Sequence, residues 1–346
     1  APAAHLRSFY DVKDFGAVGD GRADDHAAIQ AAIDKASAEA RGLPQGGGGV
    51  VFLPSGLYRV GKTLRITTSN VGIQGIGAGS VVQGGSADGH IIYAGTSDPH
   101  EHPVRNVFFE HFAITAAVRK TSGAAIFCEY AERFRIEDVK AAPHEVGPGP
   151  LYDAFYFRGF DTCVLSNVMA IAHHKGVTLH GFGVQDYGGQ FWLIGGSRVL
   201  SNLEPGSIGV HIGGSAGGVV IEDTDVIVNE TNVLIDDSLS GSPNHQVFVN
   251  QCWIDSAGGH GLDVAPQGVG LLHLNNSWFS ASGRNVLGTP LPETEGFPEG
   301  CNINYRGDAT ELGLGPLNTV IVDGCRIFNA FGSGIAAYAG KWIVTG

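Results

Sequence analysis

The feature that most constrains this chain is a repeat. Runs of apolar-polar alternation begin at Val107, Phe134, Val164, Phe191, Val219, Val247 and Leu272, spaced by 27, 30, 27, 28, 28 and 25 residues. Between them lie shorter alternations such as Gly-Val-His-Ile, Asn-Val-Leu-Ile and Gly-Leu-Asp-Val within residues 208–280, punctuated by Gly, Ser, Asn and Asp. Period-two alternation between turn residues marks short, half-buried strands. Self-similarity at this period means stacked units that bury their apolar faces only against their neighbours. A unit built of strands alone, closed by small-residue turns, is one coil of a parallel β-helix. The fold class expected is therefore all-β, a single-stranded right-handed parallel β-helix. One domain spans 1–346, with a cap region at 9–60 and coils from 61 to 346.

Composition agrees with many tight turns. The 53 glycines exceed the usual share of about 7% without a Gly-X-Y period. A net charge of −13 with only 16% charged residues argues against nucleic acid as a partner. No apolar run approaches the ~18 residues of a membrane span. The five cysteines (Cys128, Cys163, Cys252, Cys301 and Cys325) form no CxxC pair, so buried thiols are expected rather than a metal site. No cofactor is implied.

Residues 9–21 read as a short strand entering a Gly-Asp-Gly turn. Asp24 and Asp25 then open an amphipathic helix over about 24–40, with Ile29, Ile33 and Ala36 on one face. Its expected task is to cover the open first coil, because a solenoid end exposes strand edges and core. GGGGVVFLPSGLYRV follows as two strands about a Pro-Ser-Gly turn. The segments DVKDFGAVGDGRADDHAAIQAAID and GGGVVFLPSGLYRV resemble the N-terminal signature of pectate-lyase-type β-helix proteins. That group includes bacterial polysaccharide hydrolases and lyases and phage tailspike depolymerases. The resemblance implies a polysaccharide substrate, an extracellular or virion-associated location, and a homotrimer as one admissible assembly. It leaves the reaction open, since one fold hosts many chemistries. Two Pro/Gly-rich stretches, 141–151 and 285–300, break the rhythm and read as loops standing on the wall.

The short strands stack at ~4.8 Å, so their outward residues form a ladder on one face. Alternation places Phe155, Phe157, Val177, Leu179, Val210, Ile212, Val233, Ile235, Leu262 and Val264 inside. Phe127, Glu129, Tyr156, Arg158, Thr178, His180, His211, Leu234, Asp236, Asp263, Asn304 and Arg306 then point outward. A merely solvated face would carry Thr, Ser, Lys and Glu. This one carries Tyr, Arg, His and Asp and reads as a substrate groove. Asp236 and Asp263 lie on successive coils, where their carboxyls would stand roughly 5–9 Å apart, the span used by glycosidases. Asp237 beside them would raise the pKa of one. The bland alternative is that these Asp residues cap turns.

A second ordering resembles polygalacturonase-type enzymes, which carry Asn-Thr-Asp, Asp-Asp, Gly-His-Gly and Arg-Ile-Lys in that order. Here the sequence offers Asp223-Thr224-Asp225, Asp236-Asp237, Gly259-His260-Gly261 and Arg326-Ile327-Phe328. Asp225 precedes Asp236 by less than one coil and Phe328 replaces the lysine, so only Asp236, Asp237 and His260 carry over. His173-His174-Lys175 reads as a solvated turn. Asn167, Asp223, Asn250, Asn275 and Asp323 read as a turn ladder rather than calcium ligands, and Trp192, Trp253 and Trp278 as stacked core.

The leading expectation is a glycoside hydrolase with Asp236 and Asp263 as acid and base, assisted by Asp237 and His211. Glu129, Tyr156, Arg158, His180, His260 and Arg306 would hold the sugar. The alternatives are a lyase, in which His180, His211 or Tyr156 abstracts a proton beside a uronate and Arg158 neutralises its carboxylate, and a tailspike-type glycan binder that cleaves nothing.

Overall fold

The computed structural model describes residues 8–41, 48–100, 102, 104–143, 150–182, 188–239, 244–266, 268–283, 300–306, 319–337 and 341–346. Of the loops expected at 141–151 and 285–300, residues 144–149 and 285–299 lie outside these residues. The described chain is a parallel β-helix. Each turn of the solenoid visits a long strand, then a short second strand, then a strand of a separate ten-stranded sheet, before the next long strand begins. One coil, for example, is Gly218–Glu222, Thr224–Ile227 and Thr231–Asp236, followed by Asn244–Asn250. Every strand pairing among the described residues is parallel and joins one coil to the next.

The corner between the long and second strands explains the repeated small polar residues. A left-handed residue turns the chain at Asn167 (φ 50°), Asp223 (φ 48°), Gln251 (φ 53°), Asn276 (φ 46°) and Gly324 (φ 60°), a conformation open mainly to Gly, Asn and Asp. Of the expected ladder, Asn167 and Asp223 are corner residues themselves, and Asn250, Asn275 and Asp323 stand one residue before the corner. Asn250, Asn275 and Asp323 close the strands and lie in register with one another. Directly behind the corner, Ser197, Thr224, Cys252, Ser277 and Cys325 turn inward and bond backbone carbonyls of the corner. A buried carbonyl without a partner is costly, and a hydroxyl or thiol on each coil supplies one.

The core is a continuous apolar column. The ten residues assigned to the inside of the short strands are all at most 1% exposed. Phe157, Phe160 and Phe191 interlock edge to face, with centroids 4.8 Å and 5.4 Å apart. The five cysteines carry no disulfide; four are buried, and burial pushes the thiols of Cys163 and Cys252 up to about 12. They are packing groups, as their isolation suggested.

The cap helix runs His26–Arg41 and buries Ile29, Ile33 and Ala36 completely. The two aspartates before it divide the work. Asp24 accepts from the His26 and Gly61 amides, while Asp25 turns back to accept from Val18 and Gly19 at 2.5 and 3.0 Å. The first corner and the helix start are thus tied together. The expected Trp wall needs correction, because Trp253 points outward and is 61% exposed.

Because each coil is held by packing against its neighbours, truncating the interlocked ring at Phe157 to alanine should cost about 3–5 kcal/mol. A loss of unfolding free energy of that order, read from urea denaturation followed by circular dichroism, is the expected result.

Candidate functional site

The ten-stranded sheet assembles its outward residues in register. One row runs Arg65, Tyr93, Phe127, Tyr156, Thr178, His211, Leu234, Asp263 and Asn304. A parallel row two residues on runs Glu129, Arg158, His180, Gly213 and Asp236. The alternation inferred from sequence therefore places every expected strand residue on one face. How they meet is decided by their hydrogen bonds, which form three groups.

The first group is centred on Glu129. Its carboxylate accepts from the Tyr93 hydroxyl at 2.7 Å and the Arg158 guanidinium at 3.0 Å, while Arg65 stacks 4.1 Å over the Tyr93 ring. Arg158 keeps a side chain 47% exposed, so part of its guanidinium stays open to solvent. On the same side Tyr156 places its hydroxyl 3.5 Å from His180 Nδ1. Burial, with the charge of Arg158 close by, lowers the His180 pKa to about 4, and burial raises that of Tyr156. The pair is accordingly a neutral imidazole beside a protonated phenol. Gly213 leaves the next position in the row bare, and a Cβ there would press 2.5 Å from the Leu239 side chain that fills it.

The second group lies one coil on and includes a residue that the sequence reading set aside. Lys175 opens the strand Lys175–His180 rather than sitting in a turn. Its ammonium donates to His211 Nδ1 at 3.0 Å, and His211 Nε2 meets Asp236 Oδ1 at 2.9 Å. With a lysine ammonium on one side, Nδ1 accepts and the ring proton sits on Nε2, facing the carboxylate. His211 is only 3% exposed, not the open base expected. Burial pushes the Asp236 carboxyl up, but hydrogen bonds from His211 and from the Ser238 amide and hydroxyl outweigh it and hold the pKa below the ordinary value. Asp237 follows at the strand exit and is partly exposed. Beside this group His174 meets Asp153 at 2.7 Å while stacked on Tyr152.

The third group gathers around Asp263. Arg306 grips both carboxylate oxygens, at 2.9 and 2.7 Å, and the Asn304 amide donates to one at 2.9 Å. His260 joins them, its Nε2 3.4 Å from the Asn304 amide and its Nδ1 accepting from Cys301 N. Asp236 thus bonds to the preceding coil and Asp263 to the following one, so the two carboxylates are drawn in opposite directions along the axis. The pair expected from spacing to work as acid and base is thus bound on opposite sides, Asp236 by His211 and Asp263 by Arg306. The polygalacturonase-like ordering also fails to assemble. Asp225 and Arg326 stand on the second-strand face, Asp225 in an ion pair with Arg198 at 2.8 Å.

At one end of the face a cavity of about 140 Å³ is lined by Thr63, Ser86, Asp88, His90 and Lys120. Lys120 is 2% exposed and donates to the carbonyls of Ser86 and Asp88. His90 lies flat on Phe127 at 4.1 Å and accepts from the Ala124 amide; burial lowers its pKa to about 4. Among the described residues no three His, Cys, Asp or Glu side chains converge as a metal site, and no helix is long and apolar enough to cross a membrane.

A solenoid with one sheet carrying rows of tyrosine, histidine, arginine and carboxylate defines a β-helix protein with an ionisable face. The chain has the fold of the right-handed β-helix proteins, and its N-terminal third resembles the pectate-lyase-like group. Residues 9–126 match the family model for rhamnogalacturonase A/epimerase, pectate lyase-like proteins. Alginate lyase 7 of Azotobacter vinelandii is 51% identical over 79 residues, covering 21% of this chain and 8% of the relative. The matched stretch is thus a small part of the curated relative's length. The mannuronan C-5 epimerase AlgE4 A-module of the same organism superposes with a TM-score of 0.62 at 18% identity, over 98% of this chain and 96% of that one. Tailspike protein 2 of Escherichia coli O157:H7 bacteriophage CAB120 gives 0.67 at 12% identity, over 97% and 42%. At these identities the superpositions speak for the fold.

The low histidine values carry a pH signature. The folded protein keeps His90 and His180 neutral down to about 4, whereas an unfolded histidine protonates near 6.5. The unfolded chain therefore binds more protons across that window, and stability should fall as the pH drops from 6.5 towards 4. Melting temperatures across this range test it: His90→Asn with His180→Asn should flatten the decline, and an unchanged slope would refute the assignment.

Proposed function

We propose that the short-strand face binds an extended uronate polysaccharide and moves a proton at the carbon next to the sugar carboxylate, giving β-elimination or epimerisation. The observation that carries this reading is the Tyr156–His180 pair, a protonated phenol 3.5 Å from a neutral imidazole with a half-exposed Arg158 on the same side. The similarity of the N-terminal stretch to an alginate lyase and to mannuronan C5-epimerases supports the same substrate class.

The chemistry follows from the protonation states. Removing a proton beside a carboxylate builds negative charge on that carboxylate, and Arg158 is the donor placed to meet it. Tyr156 takes the carbon-bound proton as its own phenolic proton passes to His180 Nδ1, so neither a free phenolate nor a charged imidazole is needed beforehand. A contact of 3.5 Å is long for this transfer, and such contacts commonly shorten once substrate is bound. In elimination the electron pair of the broken C–H bond forms a double bond as the glycosidic C–O bond breaks. The departing oxygen receives the proton returned by His180 through Tyr156. In epimerisation a proton returns to the same carbon from the opposite face. Lys175, held against His211, adds positive charge where the next sugar carboxylate of the chain would pass.

Hydrolysis by paired carboxylates finds less support. It requires one carboxyl free to donate to the leaving oxygen, and Asp236 is bonded to His211 while Asp263 is gripped through both oxygens by Arg306. The test is a panel of polymannuronate, polyguluronate, polygalacturonate and neutral glucans, followed by near-ultraviolet absorbance, reducing ends and exchange of the carbon-bound proton with deuterated water. Tyr156→Phe should lower kcat by roughly 10²–10⁴-fold with an unchanged melting temperature. Reducing ends without absorbance or exchange, abolished by Asp236→Asn, would overturn the proposal in favour of hydrolysis.

A further inference from the structure

The second-strand face carries a stripe that the groove chemistry does not use. In register from coil to coil stand Lys140, Met169, Arg198, Asp225, Trp253, Trp278 and Arg326. At ~4.8 Å per coil the stripe is roughly 29 Å long. Its later coils are aromatic. Trp253 is 61% exposed and lies 6.3 Å from Trp278, whose ring meets Phe328 edge to face at 4.7 Å. Trp278 is held in place, its Nε1 donating to Ser280 Oγ at 2.7 Å and Ser280 in turn to Asp255. The middle of the stripe is polar, where the Arg198–Asp225 pair borders a cavity of about 290 Å³ also lined by Asp138, Lys140 and Asn167.

An indole left in water forgoes a large burial gain, and the column inside this solenoid has no need of it. The surroundings say what would cover it. The rings are bounded by charges along the stripe, so this is not the continuous apolar patch that a stable protein interface presents. A pyranose ring fits better, having one C–H face to lie on an indole and a rim of hydroxyls for the ion pair and the cavity. The coil rise is also close to the length of one sugar unit, so an extended chain can keep step with the stripe.

We propose that the Trp253–Trp278 stripe and the adjoining polar cavity form a second, non-catalytic binding site for an extended polysaccharide on the face beside the groove. The site would hold a polymer while the groove acts on another part of it. The inference rests on the proposed function only in the choice of polymer.

The test is affinity electrophoresis of the full chain in gels containing polymannuronate, polygalacturonate or a neutral glucan, with turnover of a short uronate oligosaccharide measured alongside. Trp253→Ala should weaken polymer retardation by roughly tenfold, Trp253→Phe should retain most of it, and oligosaccharide turnover should be unchanged in both. If no oligosaccharide is turned over but retardation still depends on Trp253, the catalytic reading fails and this site stands. Equal retardation of wild type and Trp253→Ala, or no retardation in any gel, would overturn the site. So would a change of sedimentation in Trp253→Ala without a change in retardation, which would make the stripe a contact between copies of the chain.

Discussion

Everything in this protein depends on the parallel backbone ladder that joins each coil to the next. It fixes the rise at about one strand spacing and forbids slippage, because a shift of one residue would carry the apolar column to the surface. The interior then solves its own problem repeatedly, with stacked Phe, Val, Ile and Leu on the flat walls and Ser, Thr or Cys at the corners where carbonyls need a donor. Stability is nearest-neighbour in character, and the cap helix completes the first coil.

The same ladder converts a one-dimensional sequence into a two-dimensional surface. Tyr93, Phe127, Tyr156, Thr178 and His211 are separated by 22 to 34 residues in the chain, yet they stand side by side. A short alternation such as Val-Thr-Leu-His needs only the correct register for its outward half to join a row. The groove therefore has the rigidity of the scaffold, a condition for positioning proton donors and acceptors.

Within that surface, partners rather than positions settle the chemistry. Asp236 and Asp263 stand on adjacent coils, but His211 pulls one back and Arg306 with Asn304 pulls the other forward. Burial works the opposite way at Tyr156 and His180, where it removes charge from both and leaves them able to exchange a proton. The groove is thus built from neutral and charged pockets a few ångströms apart, set by which neighbours each side chain can reach.

The repeat spacing, the inward and outward alternation and the capping helix were legible in the sequence, because each follows from local periodicity or from Asp, Gly and Asn preferences that act over a few residues. The fold class and the membership of the outward rows followed from these. Three things were not legible. Lys175 looked like a turn residue, since nothing local shows that its ammonium reaches a histidine 36 positions on. Asp236 looked like a candidate acid, since its charge state depends on His211 across a coil boundary. Trp253 looked like core, since an isolated Trp-Ile-Asp does not reveal which residue of a three-residue strand faces water. Local pattern thus determined the coil and its two faces, and only the stacking of coils decided which side chains pair, which remain charged and which lie open. Hydrogen bonding and burial at those positions depend on residues a full coil away.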